Sequence, residues 1–335
     1  MKQLVRKSKS LLIAFKIYQN WRMKRQFASG EIETDHGSTH SRKSLDESLS
    51  YIDEQFVDYL AYGQLTREQL RGTKILELGF GDNVGVALRF LAAGAARVVC
   101  VDKFYSRRDV AHEREIYAAL RERLSADEKQ RFDDAISITN GIKFDGARLS
   151  CINGLDLEAA AAQLSMQEET FDLIISRAVI EEIYEPDNVF LAADRLLAPA
   201  GLMLHKIDLS DYGIFSDGGM HPLTFLTIPE SVYRLMATDS GIPNRKLLGY
   251  YRKQMAELGY ETKFLVTSVV GYGVVIPHQE QTELNGDCSR LALPVINAIR
   301  PKLCREFRGM TDEELMVGGF FLVARKPIVT RGTDV

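Results

Sequence analysis

The sequence predicts an α/β fold: a doubly wound, mostly parallel sheet of seven strands, with N-terminal helices and two insertions. Short apolar runs alternate with helical patterns from residue 71 to residue 327, and this alternation is typical of βαβ units. The run at residues 75–78 is followed at once by Gly79, Gly81 and Gly85 and then by a helical pattern. A strand, a glycine turn and a helix in this order let the backbone approach a ligand, and the helix N-terminus offers unpaired N–H groups.

The second predicted strand, residues 96–102, ends in a carboxylate. Asp102 lies 21 residues after Gly81, about where such folds present an acid to ribose hydroxyls. The pattern therefore predicts a nucleoside-binding crevice. A nicotinamide-binding fold is the alternative, but it favours the spacing G-x-G-x-x-G. This turn has the spacing G-x-G-x-x-x-G, and Glu77 stands two residues before its first glycine.

The composition indicates a globular protein with a basic arm. Apolar residues make up 45% of the chain and charged residues 26%, as in ordinary globular domains. Residues 1–27 carry eight Lys or Arg and no Asp or Glu, which leaves 34 basic and 46 acidic residues, a net charge of −12, in the remainder. An acidic body argues against nucleic acid as a partner. Four scattered cysteines without a C-x-x-C pair fit a reducing compartment, so we expect a cytoplasmic protein.

The basic arm, residues 1–27, predicts an amphipathic helix. Its apolar run at residues 11–18 is too short to span a membrane, and no small-residue cleavage site follows it. One side of the helix gathers Leu4, Leu11, Leu12, Phe15 and Tyr18, and the other side gathers Lys2, Arg6, Lys9, Lys16 and Lys24. Two interpretations remain open: the helix lies on the inner face of an anionic membrane, or it packs on the body of the protein.

Two segments separate the arm from the first strand. Residues 28–44 are polar and lack periodicity, which predicts a linker or a flap over the site. His36 and His40 are spaced i, i+4 within it, but Gly37 between them argues against a helix and hence against a metal-binding pair. Residues 45–70 are apolar at helical spacing and predict a helix that covers the cofactor pocket.

Three motifs share their form with one known family. Glu77 precedes Gly79 and Gly81 at the end of the first strand, the sequence Phe-Asp-Leu-Ile stands at residues 171–174, and Ala-Val-Ile-Glu-Glu follows at residues 178–182. In these motifs the chain resembles the class I S-adenosylmethionine-dependent methyltransferases of bacterial type. The resemblance implies a doubly wound sheet that holds S-adenosylmethionine at the carboxyl ends of its strands.

The resemblance covers about residues 71–327 and has two departures. Asn83 stands where many members of the family have a third glycine, and Glu182 stands where a histidine often occurs. The cofactor-binding residues that the resemblance implies are Glu77, Gly79, Phe80, Gly81, Asn83, Asp102, Lys103, Phe104, Asp156, Ser176 and Arg177. Within this set Phe104 is expected to stack on the adenine.

A polar side chain after the third strand is expected to contact the adenine amino group. Asp156 is the first candidate and Asn153 the second. From the residues alone, Asp156 has an alternative interpretation as the N-cap of a helix that begins at residue 157.

Two insertions interrupt the predicted domain, at residues 209–243 and residues 271–316, and residues 328–335 form a tail. A connection as long as the first insertion is rarely without a function in a compact fold, so we assign it to the methyl acceptor. The remaining segment between the insertions carries the sixth predicted strand.

The candidates for a general base are His221, Asp208 and Asp211, which lie at or beyond the fifth strand. Hydrogen bonding within loops is the alternative for each of them. A metal site built from His205, Asp208 and His221 matches no metal-binding spacing, so no metal is predicted.

The predicted function is S-adenosylmethionine-dependent methyl transfer to an O or N atom of a small-molecule, sugar or lipid-linked glycan acceptor. The first alternative is a catalytically degenerate binding or scaffold protein, because Asn83 and Glu182 depart from the family pattern. An NAD(P)-dependent oxidoreductase is less favoured, because Glu77 and the Phe-Asp-Leu-Ile motif argue against it. Peripheral membrane contact through residues 1–27 is the further interaction that the basic arm predicts.

Overall fold

The structure is a computed structural model that describes residues 7–35, 37–167 and 169–328. Within these ranges the chain forms eleven α-helices, one large sheet and two short two-stranded ribbons. The helices are α1 (Lys9–Ala28), α2 (Leu45–Gly63), α3 (Gly85–Ala93), α4 (Val110–Glu122), α5 (Ala126–Asp133), α6 (Leu157–Met166), α7 (Asp187–Leu196), α8 (Glu230–Ala237), α9 (Leu248–Glu257), α10 (Gly286–Ile299) and α11 (Asp312–Met316). The strands of the large sheet are β1 (Lys74–Leu78), β2 (Arg97–Asp102), β3 (Leu149–Asn153), β4 (Phe171–Arg177), β5 (Leu197–Asp208), β6 (Glu261–Val269), β7 (Gly273–Glu280) and β8 (Val317–Arg325).

The strand order in the sheet is β7-β6-β8-β5-β4-β1-β2-β3. The pairs β1–β2, β1–β4 and β2–β3 are parallel, whereas β6 and β7 form an antiparallel pair. The chain moves outward from β1 to β3 and then returns to β4 beside β1, which is the order reversal of a doubly wound sheet. The predicted fold class and its seven strands are confirmed. The eighth strand, β7, lies in the second predicted insertion and was not predicted.

The chain divides into two compact units, each described by itself. The glycine-turn unit comprises residues 32–177, 188–204 and the described residues from 323 onward. The C-terminal unit comprises the described residues up to 31, residues 178–187 and residues 205–322.

The core of the glycine-turn unit is built on strands that are apolar on both faces. Ile75, Val98 and Val99 have no exposed surface in β1 and β2, as expected for a parallel sheet with both faces covered. Helix α3 is apolar around most of its circumference and is therefore buried. Helix α2 packs on α3 through an edge-to-face pair of Phe56 and Phe90, whose ring centroids are 5.1 Å apart.

Helix α2 begins and ends at local sequence signals. The Ser44 side chain and the Glu47 side chain form a reciprocal capping box at its N-terminus. Gln64 follows its last turn with a φ of 52°, a left-handed conformation that stops the helix. The helix predicted at residues 45–70 therefore ends at Gly63.

The core of the C-terminal unit is aromatic. Phe320 of β8 contacts Tyr251 of α9 and Phe264 of β6, with centroid distances of 5.2 and 5.6 Å. Helix α1 packs on α8, and its fully buried residues are Leu12 and Asn20. The segment predicted as a loop-like insertion at residues 209–243 contains α8 and two 3₁₀ turns. Among the described residues, no helix combines the length and the apolar character needed to span a membrane.

Candidate cofactor and active site

The turn after β1 has a backbone conformation that favours glycine. Gly79 and Gly81 have φ angles of 69° and 63°, in the left-handed region. Gly79 N donates to Val101 O at 2.8 Å and ties the turn to the end of β2. A Cβ on Gly81 would lie 2.6 Å from the carbonyl oxygen of Gly37, so the turn has room for a backbone but not for a side chain.

Asp102 closes this turn from the end of β2. Its Oδ2 accepts a hydrogen bond from Gly81 N (3.1 Å), and its Oδ1 accepts one from Phe104 N (3.0 Å). The Lys103 ammonium lies 5.7 Å from the centre of the Phe104 ring. Burial raises the pKa of Asp102, and the two backbone hydrogen bonds act in the opposite direction. Each carboxylate oxygen has a second lone pair for a ligand hydroxyl.

A buried carboxylate anchors the segment predicted as a flap, residues 28–44, on the glycine turn. Asp82 accepts hydrogen bonds from His40 N (3.2 Å) and Ser41 N (2.9 Å), and its own N–H donates to Gly37 O (3.2 Å). Asp82 is 4% exposed. Because hydrogen bonds to a buried charge are strong, the flap is held firmly at this point. Asp82 belongs to none of the sequence motifs and was not predicted as a site residue.

A buried polar chain supports the turn from the side of α4. Arg108 Nη1 donates to Glu113 Oε1 (2.9 Å), Tyr117 OH donates to the same oxygen (2.6 Å), and Val84 N donates to Tyr117 OH (3.0 Å). Arg108 Nη2 also reaches Gly81 O at 3.5 Å. The chain links the start of α3 to α4, and no motif in the sequence marks it.

Glu77 stands at the acid position of the first motif and is 7% exposed. Cys100, its partner in the β1–β2 register, donates from Sγ to Glu77 Oε2 at 3.5 Å. Burial raises the pKa of Glu77 to about 7. A buried carboxyl group whose pKa is near 7 becomes ionised when a cation or a hydrogen-bond donor binds beside it.

The end of β4 is joined to α2. Ser176 is 1% exposed and stands opposite Leu78 in the strand register. Arg177 Nη1 donates to Asp58 Oδ2 at 2.9 Å, and its guanidinium lies 5.5 Å from the centre of the Tyr51 ring. These contacts place α2 beside the carboxyl end of the parallel strands. Cofactor contact by Ser176 and Arg177 stays a prediction.

The two candidates for the adenine amino group differ in their surroundings. Asp156 is exposed and caps α6, since its Oδ1 accepts from Ala159 N at 3.0 Å. Asn153 stands opposite Asp102 in the β2–β3 register, and its buried Oδ1 has no hydrogen-bond partner. The capping role that was the alternative for Asp156 is therefore present, and Asn153 is the candidate beside Asp102.

Asn83 takes the place of the third family glycine and organises the start of α3. Its Oδ1 accepts from Gly85 N at 2.7 Å, whereas its buried Nδ2 has no hydrogen-bond partner. A Cβ on Gly85 would lie 2.4 Å from Ile52 Cδ1, so Gly85 serves the packing of α2 on α3. The unsatisfied amide atoms of Asn83 and Asn153, together with two buried carboxyls, fit a polar cofactor that carries hydroxyl, amino and cationic groups.

Residues 76–205 match a family model described as a methyltransferase domain. The matched segment begins in β1, ends in β5, and includes the glycine turn, Asp102 and the motif in β4. The chain contains a methyltransferase domain, as the motifs predicted. Comparison with curated proteins finds no match.

Several solved structures are similar to this chain at low sequence identity. The CurJ carbon methyltransferase is 12% identical, with a TM-score of 0.41, over 94% of this chain and 67% of that one. Phosphoethanolamine N-methyltransferase 2 of Haemonchus contortus is 14% identical, with a TM-score of 0.40, over 82% of this chain and 52% of that one. An O-methyltransferase of Bacillus cereus is 13% identical, with a TM-score of 0.36, over 92% and 91%. The chain thus spans about two thirds of the length of the first structure and about half of the length of the second.

The first base candidate, Asp211, lies in the C-terminal unit and is 2% exposed. It accepts hydrogen bonds from Gly213 N, Phe215 N, Ser216 N and Ser216 Oγ, at 2.6 to 3.0 Å. These contacts organise the loop after β5. Because both carboxylate oxygens of Asp211 are engaged within the loop, the structure favours the loop role for this residue.

The other two base candidates differ in how their acceptor atoms are used. His221 Nε2 donates to Val295 O at 2.8 Å, and its Nδ1 accepts from Leu223 N at 3.1 Å, so the neutral ring satisfies both contacts. Asp208 is half-buried and accepts from Ser210 N through Oδ1 at 2.8 Å. Its Oδ2 is not used in that bond. Whether either residue acts as a base stays a prediction.

A buried carboxyl close to Asp208 was not among the predicted residues. Glu181 is 1% exposed, and its Oε1 accepts from Asp208 N (2.8 Å) and Tyr212 OH (2.9 Å), while its Oε2 has no hydrogen-bond partner. Burial raises the pKa of Glu181 to about 8. Ala178 and Tyr212 on either side of this cluster have φ angles of 56° and 52°. Strained non-glycine residues of this kind gather at functional sites.

No group of three His, Cys, Asp or Glu side chains in residues 7–35, 37–167 and 169–328 is arranged to hold a metal ion. His205, which we had considered as a ligand, is 1% exposed, and burial lowers its pKa to about 3, so its ring is neutral. His36 lies outside the described residues.

Proposed function

We propose that this methyltransferase moves the methyl group of S-adenosylmethionine to an O or N atom of a small-molecule, sugar or lipid-linked glycan acceptor. The observation that carries the proposal is the set formed by Glu77, the turn at Gly79 and Gly81, and Asp102 within one compact unit. This set supplies backbone room, the buried carboxyl of Glu77 and the half-buried carboxyl of Asp102 where a nucleoside with a cationic substituent has to be held.

We assign the cofactor contacts as follows. Asp102 accepts hydrogen bonds from the ribose hydroxyls and keeps its bond to Gly81 N. The same carboxylate therefore holds both the ribose and the glycine turn in place. Phe104 stacks on the adenine, and the Asn153 amide oxygen accepts from the adenine amino group. Glu77 ionises as the positive part of the cofactor approaches, because that charge offsets the burial of its carboxylate. When bound, S-adenosylmethionine supplies an electrophilic methyl group on a sulfonium.

We assign proton removal from the acceptor to Asp208. Its Oδ2 is not engaged in the bond to Ser210 N, and the residue lies at the end of β5, where α/β folds bind ligands. The hydroxyl of Tyr212, held by Glu181, stands on the same segment and is proposed as an orienting donor.

We also propose that the protein works as a peripheral protein at the inner face of a membrane, with residues 1–27 as the contact. The charge of this arm, eight basic residues and no acidic one, supports the proposal.

Calorimetric titration with S-adenosylmethionine, and separately with NAD and NADP, tests the cofactor assignment. We expect saturable binding of S-adenosylmethionine alone, weakened about 10- to 100-fold in Asp102→Asn, because a hydrogen bond to a charged group contributes about 1.5–3 kcal/mol. Asp127→Asn, an exposed carboxylate in the same unit, is the matched control and should bind like the wild type.

Two results would overturn the assignment: binding of a nicotinamide nucleotide, or no binding of S-adenosylmethionine at all. The second result favours the scaffold alternative. Once an acceptor is found, Asp208→Asn should lower turnover by about 100-fold or more without changing the affinity for S-adenosylmethionine. Unchanged turnover would remove Asp208 as the base and leave the cofactor assignment intact.

A further inference from the structure

The side of helix α1 that packs on the C-terminal unit carries polar side chains. The Asn20 amide donates from Nδ2 to Thr238 Oγ1 (3.0 Å), and its Oδ1 accepts from Asp239 N (2.7 Å), at the end of α8. Lys9 Nζ donates to Thr227 Oγ1 at 2.5 Å. These polar contacts, with the single fully buried apolar residue Leu12, fix which side of α1 faces the C-terminal unit.

The opposite side of α1 is apolar and exposed. Leu11, Phe15, Tyr18 and Trp21 are 51%, 47%, 55% and 51% exposed, and their spacing of three or four residues puts them on one side of the helix. We name these four residues the outer face. A surface helix normally has the reverse arrangement, with its apolar stripe toward the core. An apolar stripe left in water indicates a surface with a binding partner.

Basic residues accompany the outer face. Lys7, Arg22 and Arg25 are exposed, and the sequence has no acidic residue between positions 7 and 28. The Arg25 guanidinium lies 4.8 Å from the centre of the Trp21 ring, so positive charge lies directly beside the aromatic stripe.

We infer that the outer face of α1 docks on an anionic lipid bilayer, with the helix lying in the membrane plane. The inference rests on the proposed peripheral contact and adds the side of the helix that meets the lipid and the residues that enter it. Tyr and Trp favour the headgroup level, where their rings are half apolar and half polar, and Leu11 and Phe15 reach the acyl boundary. Each exposed basic residue adds about five-fold in binding to an anionic surface, which corresponds to about 1 kcal/mol.

The charge distribution favours a bilayer over a second copy of the chain. Two outer faces brought together would oppose Lys7, Arg22 and Arg25 of each copy, and no acidic residue of α1 compensates them. The residues beyond the arm carry a net charge of −12 and are repelled by an anionic surface. Attraction is therefore concentrated on α1, which orients the protein as it approaches the membrane.

Trp21 makes this inference directly measurable, because it is the single tryptophan of the chain. Its fluorescence is followed while the full-length protein is titrated with vesicles of phosphatidylcholine, or with vesicles in which phosphatidylglycerol replaces part of that lipid. We expect a blue shift of the emission and protection from iodide quenching with the anionic vesicles alone. Salt at about 1 M, where the Debye length is about 3 Å, should weaken the binding strongly.

Variants separate the apolar and the charged contributions in a vesicle co-sedimentation assay. Arg22→Gln/Arg25→Gln should lower the affinity for anionic vesicles about 25-fold. Its matched control is Lys253→Gln/Arg290→Gln, at side chains that are both 71% exposed in the same unit. Phe15→Gln should lower binding at least ten-fold.

The matched apolar control is Leu191→Gln, at a helix residue that is 46% exposed in the other unit. Binding that is unchanged in both α1 variants, or an emission shift that follows protein concentration without lipid, would overturn the inference. The second of these results would identify the outer face as a self-association surface. Calorimetry with S-adenosylmethionine in the absence of vesicles reports on the proposed function separately, because no α1 residue belongs to the cofactor set.

Discussion

Glu181 is a carboxyl group whose charge state is set by its surroundings. It is 1% exposed, and burial raises its pKa from 4.5 to about 8, against the lowering effect of its hydrogen bonds. At neutral pH it is therefore mainly protonated. The proton has to be on Oε2, because Oε1 accepts hydrogen bonds from Asp208 N and Tyr212 OH.

This assignment predicts a pH dependence of stability. The folded state binds the Glu181 proton more tightly than the unfolded state, so the stabilisation is fully present below pH 4.5 and is lost as the pH rises through about 8. The wild-type free energy of unfolding should fall over this window by up to about 1.4 kcal/mol per pH unit from this group. Glu181→Gln, which stays neutral, should flatten the fall in urea titrations at pH 5 and pH 8.

Glu185→Gln, at an exposed glutamate in the same segment, is the control and should keep the wild-type slope. Equal slopes in Glu181→Gln and the wild type would show that Glu181 is ionised throughout the range. Glu77, with a pKa raised to about 7 by burial, adds a decline of the same sign that the substitution at position 181 does not remove.

At the level of single residues, the ends of strands could be predicted from the sequence, and contacts between distant residues could not. Glu77 and Asp102 lie near the ends of β1 and β2 as expected, because periodicity marks local strands, and their contact with the cofactor stays a prediction. Asp156 was ranked before Asn153, because the register of β3 against β2, which brings Asn153 opposite Asp102, cannot be read from the sequence. Asp82 went unnoticed because its partners, His40 N and Ser41 N, lie about 40 residues away in the chain.

The glycine turn is the element in which backbone conformation and close approach act together. Gly81→Ala should weaken the binding of S-adenosylmethionine at least ten-fold and destabilise the fold. The left-handed conformation costs an L-residue about 1–2 kcal/mol, and the new Cβ would also lie 2.6 Å from Gly37 O. Calorimetry and thermal unfolding measure the two effects.

Gly72→Ala is the matched control for the turn. Gly72 has a φ of 77°, but a Cβ there meets nothing within 4 Å. The Gly72→Ala variant should lose only the stability that corresponds to the strained backbone and should keep the wild-type affinity for S-adenosylmethionine. If both variants lose the same stability and neither loses affinity, the approach of Gly37 to the turn has no part in cofactor binding.

Elements whose signals are local were predicted well, and elements that depend on a neighbour were not. The helix over α1 was predicted from spacing, but the side that faces the protein was not, because that side depends on partners far along the chain. Lys9 donates to Thr227 in the 3₁₀ turn before α8, and Asn20 donates to Thr238 just past the end of α8. Strand β7 was missed because it gains its hydrogen bonds only beside β6, at the edge of the sheet. Five of its eight residues are exposed, so no apolar period marks it.

At the scale of the whole molecule, the two compact units raise the question of how the cofactor stabilises the chain. All residues assigned to S-adenosylmethionine lie in the glycine-turn unit, and the base candidates lie in the C-terminal unit. A ligand that binds only folded protein stabilises it by about 2.7 kcal/mol at a concentration of about 100 Kd. The size of the resulting shift in Tm depends on how much of the chain unfolds in one transition.

Calorimetric melting with and without S-adenosylmethionine distinguishes the two cases. Unfolding entropy is about 2.1 cal/mol/K per residue, so a single transition of all 335 residues should shift by about 4 °C. If the glycine-turn unit unfolds by itself, only one of two transitions should move, and by about twice as much, because its unfolding entropy is about half as large. We expect the single transition, because the residues of β5 and of β8 are divided between the two units, so neither unit keeps all of its strands when the other unfolds. Two separated transitions, of which one keeps its Tm when the ligand is added, would contradict this expectation and show that the two units unfold independently.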